Sequence, residues 1–589
     1  MFNLLKELYD YAVKENLTAV PGFKKRRIDA YISLDKDGNF LGIVPSESKK
    51  VLAPDLGSTA NGTQKCNILI SKAEYVLGLG DGNILVKHEF FKSALKEASE
   101  FEPAFCIVSD LLDDAERLEN LRTEFKNGKF KSDLVIGFMI DGKPLESFNG
   151  YYDWWQKFRK EQCGSATGSK VCMITGNEGL PVATVPKING LRVVGGHTSG
   201  DAIICFDKKA FCSYGFEQCE NASVSEEAIT AVNAALEQLI ADAPVHANTK
   251  FVHWYKEPMK SDYMKILDSD WHYDIFGNSD DSEEEDESDD ERVSVDKTEI
   301  KKLVKSIRNG EKAEMPDNIY YILPMSGAGG RVMVRGFEEG RCEDLHNSIK
   351  AWFDDMNLVK ISGGLLPTPK LFRVYTKLIK FSNADKDIQS RIKDELSGLD
   401  NAMIHAIIKD GQIPDSAATR ALAYIRSAMY ADSKSDFIKY PDSVCCQILK
   451  TWLIRRGKKM DTCVNENYQS NAYQLGRLFA VYAAIQKKAS PEVNVGVVER
   501  YYSSASVKPA YVLGKLASLS QYHLANISKE NKNAAVFYSK MLADISCKVI
   551  LPMPSVLTTE EQAEFALGYY QQCAEIFRPK KDKENTDNN

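Results

Sequence analysis

Hydrophobic spacing along the chain changes period several times, and each change marks an element. Residues 1–15 place Leu4, Leu5, Leu8, Tyr9 and Tyr11–Val13 on one side of a 3.6-residue period, which predicts an amphipathic helix ended by Pro21-Gly22. RIDAYISLDKDGNFLGIV then alternates about Lys36-Asp37-Gly38-Asn39, a β-hairpin pattern. Residues 46–67 are polar and rich in Gly, Ser, Thr and Asn, so they read as a loop. Helical spacing returns over 83–100 and again over roughly 109–127. LVIGFMIDGKPL reads as a strand turning at Asp141-Gly142. From Lys170 to Phe206 short apolar strands alternate with Gly-rich turns, and a helix follows from Ser225 to about Ala241, opened by Ser225-Glu226-Glu227. NIYYILPMSGAGGRVMVRGF is a second β segment. Beyond Leu345 helical periods dominate, over 345–356, 401–409, 416–430, 443–456, 469–487, 509–527, 531–547 and 559–577. The fold class is α+β: a mixed N-terminal part with antiparallel hairpins and helices, about 370 residues long, then an all-helical C-terminal bundle.

Length and composition sharpen this picture. At about 150 residues per domain, 589 residues predict two to four domains. With 43% hydrophobic and 27% charged residues the chain is of the soluble globular class. No apolar run approaches the ~18 residues that cross a bilayer, and Asp and Glu interrupt the N-terminal helix, so it is not a signal peptide. Thirteen irregularly spaced Cys predict reduced thiols and a cytoplasmic protein. The formal charge of −8 is concentrated in SDDSEEEDESDDER, 279–292. Without its ten carboxylates the balance is +2, so bulk charge neither signals nor excludes nucleic acid. Such a tract predicts a disordered acidic loop. The expected divisions are therefore 1–278, 279–292, 293–370 and 371–589.

Candidate chemistry is sparse. Gly78-Leu79-Gly80-Asp81-Gly82 has the wrong spacing for a dinucleotide fingerprint. Gly327–Arg331 resembles a phosphate loop but leads into Val332, Val334 and Phe337, a strand, and so reads as a hairpin turn. Gly195–Gly200, in GGHTSG, permits close backbone approach to either a neighbouring strand or a phosphate backbone. Cys205, Cys212 and Cys219 form no metal-ligand spacing, and the eight His are scattered, so neither a metal nor a cofactor is expected. His197 and His253 lack sequence-local catalytic partners. Lys24-Lys25-Arg26-Arg27 reads as a solvated turn, with a phosphate contact as the alternative. Lys49, Lys50, Lys65 and Lys72 flank a loop carrying Asn61, Thr63, Gln64 and Asn67. This mixture suits duplex recognition and equally suits any surface loop.

An ordered set of motifs narrows the choice. Cys172 to Gly176 forms C-x-x-T-G, Lys187 to Gly190 forms K-I-x-G, and Gly195 to Gly200 forms a Gly/Ser loop. Phe211 through Ser225 spells F-x-S-Y-G-x-E-Q-x-x-N-x-x-V-S. Glu74-Tyr75-Val76-Leu77-Gly78 precedes them, and RYYSSASVKPAYVLGKLASLSQYHLA and EEQAEFALGYYQQ follow near the C-terminus. This series resembles the large subunit of the type I-C CRISPR surveillance complex (Cascade) over essentially the whole chain. The acidic tract and the KKRR run lie outside that pattern.

The resemblance implies a non-catalytic subunit that reads the protospacer-adjacent motif of double-stranded target DNA, helps open the strands and recruits the helicase-nuclease. Guide pairing reads the longer sequence. It implies partners in the CRISPR guide RNA, the backbone and 5′-handle-binding subunits, and a small subunit, with no membrane involved. By position the first DNA-facing group is Lys49, Lys50, Asn61, Thr63, Lys65, Asn67 and Lys72. The second is Lys187, Arg192, His197, Ser199, Tyr214, Gln218 and Asn221, of which the last three are alternatively buried residues that order the fold. The family also implies a small subunit made from an internal start; Met460 heads a helical segment, 460–589, of suitable length. A nuclease built on His197 or His253, and a purely structural scaffold, are the alternatives.

Overall fold

The computed structural model describes residues 2–17, 22–46, 50–56, 64–163, 170–179, 181–206, 208–211, 213–246, 248–257, 317–380, 388–430, 438–491 and 496–578. Lys49, Asn61, Thr63, Cys212 and the 279–292 tract lie outside these residues. The chain falls into two compact units, Met1–Asp242 with Gly327–Met333, and Ala243–Ser326 with Val334–Asn589.

In the first unit the predicted N-terminal helix α1 (Phe2–Lys14) buries Leu4, Leu5, Leu8 and Ala12, with Ala12 against Ala231 and Ala235. The predicted hairpin forms from β2 (Ala30–Leu34) and β3 (Phe40–Pro45), and Asp35 closes its turn by accepting from the Asp37 and Asn39 amides. Two segments expected to be a turn and a loop are instead paired strands: β1 (Phe23–Arg27) runs antiparallel to β4 (Lys50–Pro54). Phe23 and Ala53 bury there, an apolar anchor that the run of cations obscured.

β5 (Ser71–Lys72) leads into α2 (Ala73–Val76) and α3 (Asn83–Ser99). The single helix expected over 109–127 is two, α4 (Ala104–Asp113) and α5 (Ala115–Asn127), because Asp114 leaves the helix and accepts from the Glu116 and Arg117 amides. β6 (Val135–Ile140) turns into β7 (Lys143–Pro144) as predicted. β6 also lies parallel to β2, giving the sheet order β3-β2-β6-β5. Every residue of β2 is buried, as a strand covered on both faces should be. α6 (Tyr152–Cys163) adds Trp154, Trp155 and Phe158 to this core.

Among the described residues of 170–206, expected to be strands and turns, only β8 (Lys170–Val171) and β9 (Glu178–Gly179) are strands. Elsewhere it is tied by single bridges: Pro181 to Ser225, Ile188 to Asp201, and Ala202 to Arg331. Its apolar runs are too short and too interrupted by Gly and Pro to form ladders. α7 (Glu226–Asp242) follows, with the Ser225 hydroxyl accepting from the Ala228 amide, the predicted cap.

After α7, β10 (Val245–His246), β11 (Thr249–Tyr255), β12 (Ile319–Ala328), β13 (Arg331–Val334) and β14 (Glu338–Arg341) form one sheet. Gly329 and Gly330, at φ 57° and 84°, make the expected hairpin turn between β12 and β13. α8 (Cys342–Met356), α9 (Leu371–Leu378), α10 (Ile388–Ile408), α11 (Asp415–Tyr430) and α12 (Ser443–Ile454) continue the chain. α13 (Asn471–Ala489), α14 (Val497–Ala505), α15 (Pro509–Glu530), α16 (Lys532–Ser546) and α17 (Thr559–Phe577) complete it. The predicted change to all-helical structure is present from about residue 371. α9 and α14 escape the periodicity because each spans barely two turns.

Candidate nucleic-acid interface

The first candidate group divides sharply. Lys50 opens β4 and is exposed. Lys65 donates from Nζ to the Gln162 carbonyl at 2.9 Å. Asn67 is 6% exposed, and its Oδ1 accepts from the Leu56 amide at 2.8 Å, so this amide closes a loop. Lys72 stands 3.5 Å from Glu74 and over the Tyr75 ring. Of these four, Lys50 alone has no carboxylate or carbonyl partner among the described residues.

The second group sits on the bridged region. Gly195 and Gly196 press against Gly327, where a Cβ on Gly195 would lie 2.8 Å from the Gly327 carbonyl oxygen. A neighbouring strand therefore accounts for these glycines. Asp201, 1% exposed, accepts from the His197 amide and fixes the loop from inside. The loop's outer side carries His197, whose Nδ1 is 2.7 Å from the Ser199 hydroxyl; both side chains are exposed, as are Lys187 and Arg192.

The turn carrying Tyr214, Gln218 and Asn221 is built on left-handed residues. Tyr214 has φ 59° and ψ 21°, a left-handed conformation disfavoured for a bulky side chain, and is 98% exposed. Gln218 is also left-handed, at φ 47°, and exposed. Asn221 donates from Nδ2 to the Gln218 carbonyl at 3.0 Å, and Glu217 and Glu220 cap the same turn reciprocally. Asn221 thus orders the turn, while Tyr214 and Gln218 face outward.

The family model for CRISPR-associated protein (Cas_Csd1) matches residues 5–577. The chain belongs to this family. It is a type I-C Cascade large subunit. No curated relative matches it.

Within this Cas_Csd1 chain the structure adds a cation that sequence reasoning missed. Arg331 lies in the Gly327–Arg331 hairpin turn, yet its strand bridges to Ala202, through Ala202 N to Gly330 O at 2.9 Å and Val332 N to Ala202 O at 3.0 Å. Exposed Arg331 thereby joins the region of Lys187 and Arg192. Only the pairing partner, more than a hundred residues away, could have revealed it.

Cys172, 1% exposed, begins the C-x-x-T-G turn and receives the Ser225 amide at 3.2 Å. Burial would raise its thiol, but hydrogen bonds from Ser225, Thr175 and Ile174 prevail and draw it down to about 7. The Sγ ties the turn to the start of α7. His253 Nδ1 lies 3.3 Å from the Phe251 carbonyl on its own strand. Among the described residues no group of three His, Cys, Asp or Glu side chains is arranged to hold a metal, and no helix is long and apolar enough to cross a membrane.

Proposed function

We propose that this Cascade subunit reads the protospacer-adjacent motif of duplex DNA, helps part the strands and offers the surface on which the helicase-nuclease docks, with no active site of its own. The observation that carries the reading is Tyr214, held wholly in solvent in a left-handed conformation beside a turn that Asn221 and the Glu217–Glu220 cap tie together. An aromatic ring presented with its strain already met is suited to stack on or wedge between bases, and Gln218 beside it can bond a base edge. Lys187, Arg192 and Arg331 supply the adjoining positive charge for phosphates, with His197 and Ser199 on the same loop region. Lys72 serves as the charge of the first group. Guide RNA is contacted modestly, at the end of the complex that holds its 5′ handle. The helices of 460–589 double as the small subunit, translated separately from Met460 and detectable as a ~14 kDa product at about 110 Da per residue.

Binding of duplexes carrying every trinucleotide beside a matched target, to the assembled guide complex with and without this chain, tests the reading. A preference for one flank that requires the chain and weakens in Tyr214→Ala is the expected result. Equal binding to all flanks would leave the chain a scaffold.

A further inference from the structure

The β1–β4 ribbon carries charge that the fold does not use. Phe23 at its base packs on the Tyr151 and Tyr152 rings, and the Gly22 carbonyl accepts from both the Asp55 amide and Trp155 Nε1 at 2.8 and 2.9 Å. Ile28, just past its other end, is fully buried. Between these anchors Lys24, Lys25, Arg26 and Arg27 run opposite Ala53, Leu52, Val51 and Lys50. Residues directly across an antiparallel pair share a face, so Lys25, Leu52, Arg27 and Lys50 form one side, and all four are exposed. Arg27 stands directly opposite Lys50. Like charges so placed destabilise a pair, and a ribbon built only for stability would alternate sign.

Arg26 is paired with Asp55 at 2.7 Å and Arg27 with Asp29 at 3.0 Å. Lys24, Lys25 and Lys50 have no carboxylate among the described residues. The ribbon therefore displays three uncompensated cations on a backbone fixed at both ends.

We infer that the β1–β4 ribbon is a further duplex-DNA site, resting the uncompensated Lys25 and Lys50 on the phosphates that border the major groove. The inference builds on the duplex-binding reading above. Two strands about 4.8 Å apart fit a groove about 12 Å wide, whereas the deep, narrow major groove of A-form RNA does not admit them. Exposed Leu52 between the cations suits a thymine methyl rather than a second charge.

The test compares the assembled guide complex containing the full chain with one carrying Lys25→Gln and Lys50→Gln, binding a matched duplex across a salt series. The slope of log K against log salt should become shallower by about two, one for each phosphate that is no longer neutralised. The ranking of flanking motifs and the loading of guide RNA should be unchanged, and thermal stability equal or higher because the opposed charges are gone. Lys25→Arg with Lys50→Arg should keep the original slope. An unchanged slope overturns the inference, and so does a loss confined to guide-RNA loading. A wild-type complex without flank preference that still loses slope in the double variant removes motif reading and leaves the ribbon site standing. Clear flank preference with no change in slope removes the ribbon site alone.

Discussion

The α13–α17 seam and the bridged region 170–225 stand at opposite extremes of packing. In the seam two helices meet backbone to backbone. Gly476 and Gly568 leave so little room that a Cβ on either would overlap the carbonyl of Phe565 or Tyr473. Residues 472–486 and 563–574 are buried without a break, polar ones included. Glu564 accepts from the Tyr468 hydroxyl at 2.9 Å and the Ser470 hydroxyl at 2.6 Å, while Arg477 donates to Gln572 and Gln474. In the bridged region, order comes from single bridges, capped turns and buried Asp201, and the side chains so ordered face water. Close packing fixes a shape from the inside. Local hydrogen bonding fixes a few side chains outward, which is what a recognition surface requires.

Three changes would break or sharpen that contrast. Gly568→Ala should cost the most, about 3 kcal/mol, because the added Cβ meets main chain that cannot rotate away. A fall in the denaturation midpoint measures it, and a variant as stable as the parent would show the seam to be loosely packed.

The next effect depends on pH. Asp400 on α10 is 1% exposed, and burial raises its carboxyl to about 6; the neighbouring Tyr375 hydroxyl offsets this only in part. The folded state thus binds a proton that the unfolded chain releases near pH 4, so stability falls as pH rises from 4 to 6 and stays lower above it. The loss is about 2–3 kcal/mol. In Asp400→Asn this decline should vanish, so the stability difference between variant and parent grows with pH over that window. A difference independent of pH would mean Asp400 is ionised in the fold.

The smallest effect lies on the open side. Tyr214→Gly should leave stability unchanged or raise it by about 0.5 kcal/mol, since glycine accepts the left-handed conformation freely, while duplex affinity falls. Lower stability with unchanged binding would give Tyr214 a structural role.

Much of the molecule was legible in its sequence. The hairpin about Lys36–Asn39, the cap at Ser225 and the long C-terminal helices rest on local chemistry, although the Asp114 cap shows that a long helical period can hide a break. The motif from Phe211 to Ser225 was legible as a motif, but its roles were not. Asn221 ties a turn and Asn67 closes a loop, while Tyr214 stands free. A polar side chain that bonds its own backbone and one that awaits a ligand have the same letter.

The sequence by itself determined the fold class and the family, because period, caps and ordered motifs are read from neighbours along the chain. Tertiary structure alone decided which charges are available. Lys65 is occupied by a carbonyl 97 residues away, and Arg331 bridges to Ala202, more than a hundred residues upstream. The KKRR run is a paired strand rather than a turn because β4 lies beside it. A cation's availability depends on what folds against it, and that partner is set by long-range pairing.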